Sequence, residues 1–232
     1  MNHKRQSNNM SETMEGFGKT RRALKGEGEL LITSTNLNGL TDEREEEVMN
    51  LVEDDIDIML FQETHRREDS LEKRFEIPGY KTYTNERLGD AKQGGGLAVY
   101  IKKEIMSNVW EGLPRDEEEM KAGKERLWLL VHLGSTKLAI CDCYLACLNS
   151  SKPEFVRENK ILLDLMSREV KDLTSMGFKC ITVGDLNARV GHLGVLGERG
   201  NDRKVNENGK MLKDFALENQ LVILNSRPMS QG

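Results

Sequence analysis

The sequence predicts one mixed α/β domain with antiparallel hairpins, on three observations. Short apolar runs bounded by polar or turn residues recur from residue 30 onward. Two stretches, Phe155 to Leu173 and Met211 to Leu217, carry apolar residues at helical spacing. The resulting order is strand, helix, several strands, helix, strand, helix, strand, which is not a regular βαβ series. At 232 residues the chain is long enough for one large core. No internal repeat stands out, and no linker follows Gly28.

Residues 1–28 are polar, lack an apolar period and predict a disordered tail, leaving 29–232 as the domain. Gly18-Lys19-Thr20 lacks both the earlier glycine and the preceding strand of a phosphate-binding loop, so that motif is rejected. Lys19, Arg21 and Arg22 read as a solvated tail before they read as a nuclear-import patch. Leu30 to Thr35 predicts the first strand, with Asn36 after it and a turn at Asn38-Gly39. Thr41 can cap a helix whose first turn is acidic, as the helix dipole prefers, with Val48, Leu51 and Val52 on its apolar side. Ile56 to Phe61 predicts the second strand, followed at once by Gln62-Glu63-Thr64.

Pro78-Gly79 turns into a short strand, Tyr80 to Thr84. Gly94-Gly95-Gly96 precedes another, Leu97 to Ile101, and without a following helix the glycines read as a flexible connection or a close backbone approach. Trp110 to Gly123 is charged and irregular and predicts a loop. Leu127 to Leu133 and Lys137 to Cys143 predict a strand pair turning at Gly134-Ser135, with Tyr144 just past its end. Cys141 and Cys143 share one face of that strand; no Cys-x-x-Cys pair exists, so they read as core residues and not as zinc ligands. Ser151 to Glu154 has capping-box spacing, and Phe155, Leu162, Leu165, Met166, Val170 and Leu173 form the stripe of the best-signalled helix, stopped at Gly177. Ile181 to Val183 predicts a buried strand that ends at Gly184, with Asp185 and Asn187 next. A glycine-rich loop from Gly191 to Gly200 leads to a helix after Asn208-Gly209 and a last strand, Leu221 to Leu224.

Composition narrows the function. The net charge of −5 disfavours binding nucleic acid by bulk charge, so a polyanion partner needs a local patch or a metal. Four cysteines, all between Cys141 and Cys180, are not a disulfide framework and point to a reducing compartment, nucleus or cytoplasm rather than a secreted setting. No apolar run approaches membrane-spanning length.

Asn36, Glu63, Tyr144, Asp185 and Asn187 each lie one or two residues beyond an apolar strand. For Asp185 and Asn187 alone an ordinary turn remains an equal reading. If the strands are neighbours, all five side chains gather at one mouth, where ligands of open α/β sheets bind. Two carboxylates, two amides and a phenol are hard ligands that suit Mg²⁺; no His or Cys among them suits zinc.

Thr35-Asn36-Leu37-Asn38-Gly39, Leu60-Phe61-Gln62-Glu63-Thr64 and Val183-Gly184-Asp185-Leu186-Asn187 resemble three signature blocks of the endonuclease/exonuclease/phosphatase superfamily, in the right order. Gln62-Glu63-Thr64-His65, the run Gly95 to Lys103 and Asn206-Glu207-Asn208-Gly209 are similar to the endonuclease domains of non-LTR (LINE-type) retrotransposons and to craniofacial development protein 2-like proteins. The resemblance covers Leu30 to about Ser226. It implies a four-layer α-β-β-α sandwich of the DNase I-like kind, with the site at one end of two sheets. It implies that Glu63 binds Mg²⁺ (or Mn²⁺) with Asn36 beside it. Asp185 would orient and deprotonate water, Asn187 would hold a phosphate oxygen or position Asp185, and Tyr144 would hydrogen-bond the scissile phosphate. His65 and Arg66 are read equally as substrate neighbours and as exposed loop residues.

One departure stands out. The family's terminal Ser-Asp-His block is absent, and no Asp-His pair occurs anywhere; the histidines are His3, His65, His132 and His192. The chain is therefore expected to be a fragment or a truncated copy, missing its last strands, with an open sheet edge and impaired activity. The expected function is phosphodiester hydrolysis of DNA. A domesticated non-catalytic nucleic-acid or protein-binding scaffold and a phosphodiesterase for lipid or inositol phosphates are the alternatives. Arg66, Arg67, Lys102, Lys103, Arg189, Arg203 and Lys204 are candidate backbone-phosphate contacts, which predicts salt-sensitive DNA binding.

Overall fold

A computed structural model describes residues 29–65, 75–85, 95–112, 114–148, 153–191 and 204–224. The expected tail at 1–28, the cap at Ser151, Gly94, Arg66, Arg67, His192, Arg203 and nearly all of the loop 191–200 lie outside the described residues.

Eight strands form two four-stranded sheets. The first holds β1 (Ile32–Asn36), β2 (Ile58–Gln62), β3 (Tyr80–Asn85) and β4 (Leu97–Lys102) in the order β1-β2-β4-β3. The second holds β5 (Met106–Trp110), β6 (Arg126–Leu133), β7 (Thr136–Tyr144) and β8 (Lys179–Asp185) in the order β5-β6-β7-β8. Helix α1 (Asp42–Glu53) joins β1 to β2, and α3 (Glu154–Ser175) joins β7 to β8. Both of those strand pairs are parallel and every other pair is antiparallel. A parallel pair requires a crossover, and each sheet carries one such βαβ unit at its edge. A short helix α2 (Glu117–Ala122), the 3-10 turn Gly123–Glu125 that follows it and α4 (Glu207–Glu218) complete the described elements.

The architecture is a four-layer α-β-β-α sandwich. Alternation along each strand sends one set of side chains between the sheets and the other outward to a helix. Ile58, Leu60, Val99, Leu129 and Ile140 fill the space between sheets. Met59, Phe61 and Tyr100 pack outward beneath Val48 of α1. Trp128, Cys141 and Cys143 pack outward beneath Leu162, Met166 and Val170 of α3. Cys141 and Cys143 are thus core residues, and all four cysteines are free. Thr41 caps α1 by accepting from the Arg44 backbone N–H at 3.4 Å, with Asp42, Glu43 and Glu45 in the first turn.

Three expectations are corrected. The stretch Trp110 to Gly123 is not all loop: Trp110 ends a strand and Glu117–Ala122 is helical, capped by Asp116, whose side chain accepts from the Glu119 N–H. Its charges hid it, because they serve ion pairs to α3, as Arg168 to Glu119 at 2.6 Å. Leu221 to Leu224 is not a strand: the Leu221 N–H turns back to the Ala216 carbonyl and Leu224 is exposed. A four-residue apolar run cannot by itself distinguish strand from helix end. Ile181 to Val183 is a strand, but only half buried, because β8 is the outer strand of its sheet.

Candidate active site

The site is where the two βαβ units face each other. In each parallel pair the carboxyl ends lie side by side, and β1, β2, β7 and β8 meet across the sandwich. Asn36 is the last residue of β1, Tyr144 of β7 and Asp185 of β8; Glu63 follows the end of β2. Asn36 pairs in register with Gln62, and Tyr144 with Asp185.

The structure brings four of the five predicted side chains into one hydrogen-bonded group. The Asn36 amide donates from Nδ2 to Glu63 Oε1 at 3.1 Å and to Asp185 Oδ2 at 2.9 Å. Two acids 122 positions apart in sequence, on different sheets, are thereby within reach of one nitrogen. Asn36 Oδ1 accepts the Asn38 backbone N–H at 2.9 Å, so the amide turns its nitrogen, and not its oxygen, toward the acids. The Tyr144 hydroxyl donates to Glu63. Burial raises the Glu63 pKa, but hydrogen bonds from Tyr144, Asn36 and His65 outweigh it and hold the carboxyl below its ordinary value. Burial, followed by the adjoining Glu63 carboxylate, pushes the Tyr144 phenol far up.

Asn187 sits behind Asp185 rather than beside Glu63. Its backbone N–H donates to Asp185 Oδ1 at 3.0 Å, and its side-chain Nδ2 donates to the Leu145 carbonyl at 2.9 Å. As placed, it orients Asp185 and ties the end of β8 to the end of β7. His65 Nε2 lies 3.4 Å from Glu63 Oε2, half exposed. Lys102 lies away from this group, paired with Asp55 and Asp57 at 2.6 and 2.9 Å.

The backbone here is strained in a pattern. Among the described residues six non-glycine residues take positive φ, and Asn38, Glu63, His65 and Asn187 are four of them. Such conformations persist only where surrounding contacts impose them. The contacts are explicit. The Glu63 carbonyl accepts from Gly39 N at 2.7 Å, while Thr64 and His65 donate to the Gly96 and Gly95 carbonyls at 3.1 and 3.0 Å. The glycine run is therefore the close backbone approach that fixes the Glu63 loop. At Gly184 a Cβ would stand 2.0 Å from the Cys143 carbonyl oxygen, with φ at +132°, so only glycine fits before Asp185.

Sequence reasoning missed the amides that hold the other loop. Asn159, buried in α3, accepts from Ala146 N at 3.0 Å and donates to Ala146 O at 2.8 Å and to Asn208 Oδ1 at 3.0 Å. Asn206 donates to the Asn187 carbonyl at 2.8 Å. A signal existed: Asn159 interrupts the apolar stripe between Phe155 and Leu162.

The fold is similar to that of three solved structures. The catalytic domain of APE2 from Xenopus laevis is 23% identical, covering 79% of this chain and 67% of that one, with a TM-score of 0.60. The AP endonuclease LMAP from Leishmania major is 16% identical, covering 81% and 66%, at 0.61. The endonuclease domain of TRAS1, a telomere-specific non-LTR retrotransposon, is 12% identical, covering 85% and 74%, at 0.55. The chain spans about two-thirds of the length of the first two. No curated protein matches it. Residues 33–204 match the Endonuclease/Exonuclease/phosphatase family, and the chain belongs to that family.

Proposed function

We infer that this chain is a metal-dependent phosphodiester-cleaving domain that acts on DNA, of the kind found in retroelement endonucleases. One observation carries the reading: a single amide, Asn36 Nδ2, holds Glu63 and Asp185 from opposite sheets at one mouth.

The donor set fits a hard cation. Glu63 offers a carboxylate kept ionised by its three hydrogen-bond partners. That matches Mg²⁺ or Mn²⁺, which is bound by one or two carboxylates and keeps waters and substrate phosphate as further ligands. Glu63 would hold the ion, with Asn36 beside it. Bound there, the ion supplies Lewis-acid stabilisation of the phosphoryl oxygens and the leaving alkoxide.

The remaining work falls to the chain's own groups. Asp185 is fixed on two sides, by Asn36 at Oδ2 and by the Asn187 N–H at Oδ1. Fixed so, it takes the proton of the attacking water and keeps that water in line. Tyr144 first orders Glu63; donation to the scissile phosphate requires its hydroxyl to exchange that partner. Asn187, whose Nδ2 is spent on Leu145 O, acts by positioning Asp185.

The test is nicking of supercoiled plasmid in Mg²⁺ or Mn²⁺ by the full chain. Activity is expected to vanish with EDTA and to fall about 10²–10⁴-fold in Asp185→Ala, the value of a positioned base. Equal nicking by wild type and variant overturns the reading and leaves the non-catalytic scaffold.

A further inference from the structure

One pleat below the mouth, the space between the sheets is polar where it should be apolar. Inward-facing positions alternate along each strand. The uppermost inward residues are Asn36, Tyr144 and Asp185. The next layer down holds Ser34 on β1, Asp142 on β7 and Val183 on β8, and Gln62, on β2 level with Asn36, reaches down into it. Leu60, level with Ser34, and Ile58 and Ile140 further down are apolar.

Asp142 is fully buried, at 0% exposure. Gln62 donates from Nε2 to Asp142 Oδ1 at 2.5 Å and to Ser34 Oγ at 3.0 Å. This amide therefore links one sheet to the other, immediately before Glu63 in sequence and two residues before Tyr144 at its far end. Asp142 Oδ2 has no hydrogen-bond partner among the described residues. Burial drives the carboxyl far above its ordinary range, against weaker opposition from Gln62 and the Cys143 backbone. Its charge partner is a neutral amide, so a packing role alone gives no reason for an acid here: a leucine would fill the layer without an unpaired oxygen.

We propose that Asp142 is a positioning residue: through Gln62 it fixes the separation of the two sheets directly beneath the acids, and so holds Glu63 and Tyr144 within hydrogen-bonding reach of each other. The inference rests on the reading of Glu63 as the metal-holding acid. Its test is chosen so that the two can fail separately.

The measurement is amide hydrogen exchange by mass spectrometry on the full chain without metal, together with Mn²⁺ titration calorimetry, for wild type, Asp142→Asn and Asp142→Leu. In Asp142→Leu, peptides holding residues 62–65 and 143–146 are expected to exchange about tenfold faster while α1 and α3 stay as in wild type, the pattern of a local opening. Mn²⁺ affinity should drop about tenfold or more, as when an outer-shell partner of a metal ligand is lost. Asp142→Asn keeps an oxygen for Gln62 and should restore both. Gln62→Leu breaks the same bridge from the other sheet and should repeat the Asp142→Leu pattern; it also serves if Asp142→Leu does not fold. Unchanged exchange at the two segments, uniform acceleration across all peptides, or failure of both leucine variants to fold overturns the proposal. If wild type shows no Mn²⁺ affinity that depends on Glu63, the functional reading falls, while the exchange pattern still decides the bridge.

Discussion

Glu169 and Asp142 are both buried acids in the second sheet's neighbourhood, yet they are held in opposite ways. Glu169, on α3, faces the outer layer. It accepts from Arg126 Nε at 2.7 Å, from Arg126 Nη2 and from Trp128 Nε1 at 2.8 Å. Arg126 is itself bound to the Gly123 and Glu111 carbonyls. Burial raises the Glu169 carboxyl, and the guanidinium and indole pull it back. Asp142, in the inner layer, has two neutral donors, the Gln62 amide and the Cys143 backbone, and one oxygen without a partner among the described residues. The outer acid is a charged staple between helix and strand, remote from the mouth. The inner one is met by neutral donors, is pushed by burial well above its ordinary range, and sits under the reacting groups. Compensation by charge belongs to the scaffold here, and compensation by neutrality to the layer that supports the site.

The outer staple is the place to break this comparison most forcefully. Arg126→Leu leaves Glu169 buried without its cation, which should cost about 3–5 kcal/mol. For a domain of this size that lowers the melting temperature by about 2–4 °C per kcal/mol, readable by calorimetry. Replacing both partners, Arg126→Leu with Glu169→Leu, should recover most of the loss, because no lone charge remains. A single variant as stable as wild type shows that Glu169 simply takes up a proton, and the two acids then differ less than drawn here.

A third buried polar group separates neutrality from burial. Asn159 is buried, neutral and satisfied at both ends, through Ala146 and Asn208. Asn159→Leu strands those partners and should cost about 1–3 kcal/mol by denaturant melt. It should also reduce nicking, because the Ala146 segment carries Leu145, whose carbonyl holds Asn187. Loss of stability with nicking rate unchanged separates this network from the site.

The strand ends were legible because each is an apolar run halted by a polar group, a signal carried within five or six residues. Glu63 and Asp185 could be singled out on that basis, and Gly184 could be seen as the punctuation before Asp185. Their meeting could not be derived from spacing, since it depends on two sheets packing face to face across 122 positions; the family resemblance supplied it. Met106 to Trp110 was missed because an outer strand alternates with solvent and needs no apolar run; Met106 itself is 68% exposed. Asp142 was visible only as the spacer between two core cysteines. That an acid stood on the inward face of a strand was the clue, and its weight appears only when Gln62 is found opposite. Asn36 was placed at the mouth, but an amide's orientation is set by its neighbours, here the Asn38 N–H, and no sequence pattern encodes it.

The smallest change sharpens the comparison through pH. A carboxyl whose folded pKa is raised binds its proton in the folded chain at pH values where the unfolded chain, near 3.9, has already lost it. Its contribution to stability is complete below that unfolded value and declines as pH rises toward the folded one. Asp142→Asn removes this one titration and keeps the acceptor for Gln62. The variant should therefore gain on wild type as pH rises above the unfolded carboxyl value, by no more than about 1.4 kcal/mol per unit, the ceiling for one proton. Glu169 titrates alike in both proteins and cancels from the difference, as does Glu63, whose lowered pKa acts in the opposite direction. Urea melts at half-unit steps from pH 4.5 to 6.5 measure it. A flat difference means that Asp142 is ionised in the folded chain, with a counter-charge found between the sheets, and the contrast between the two buried acids disappears.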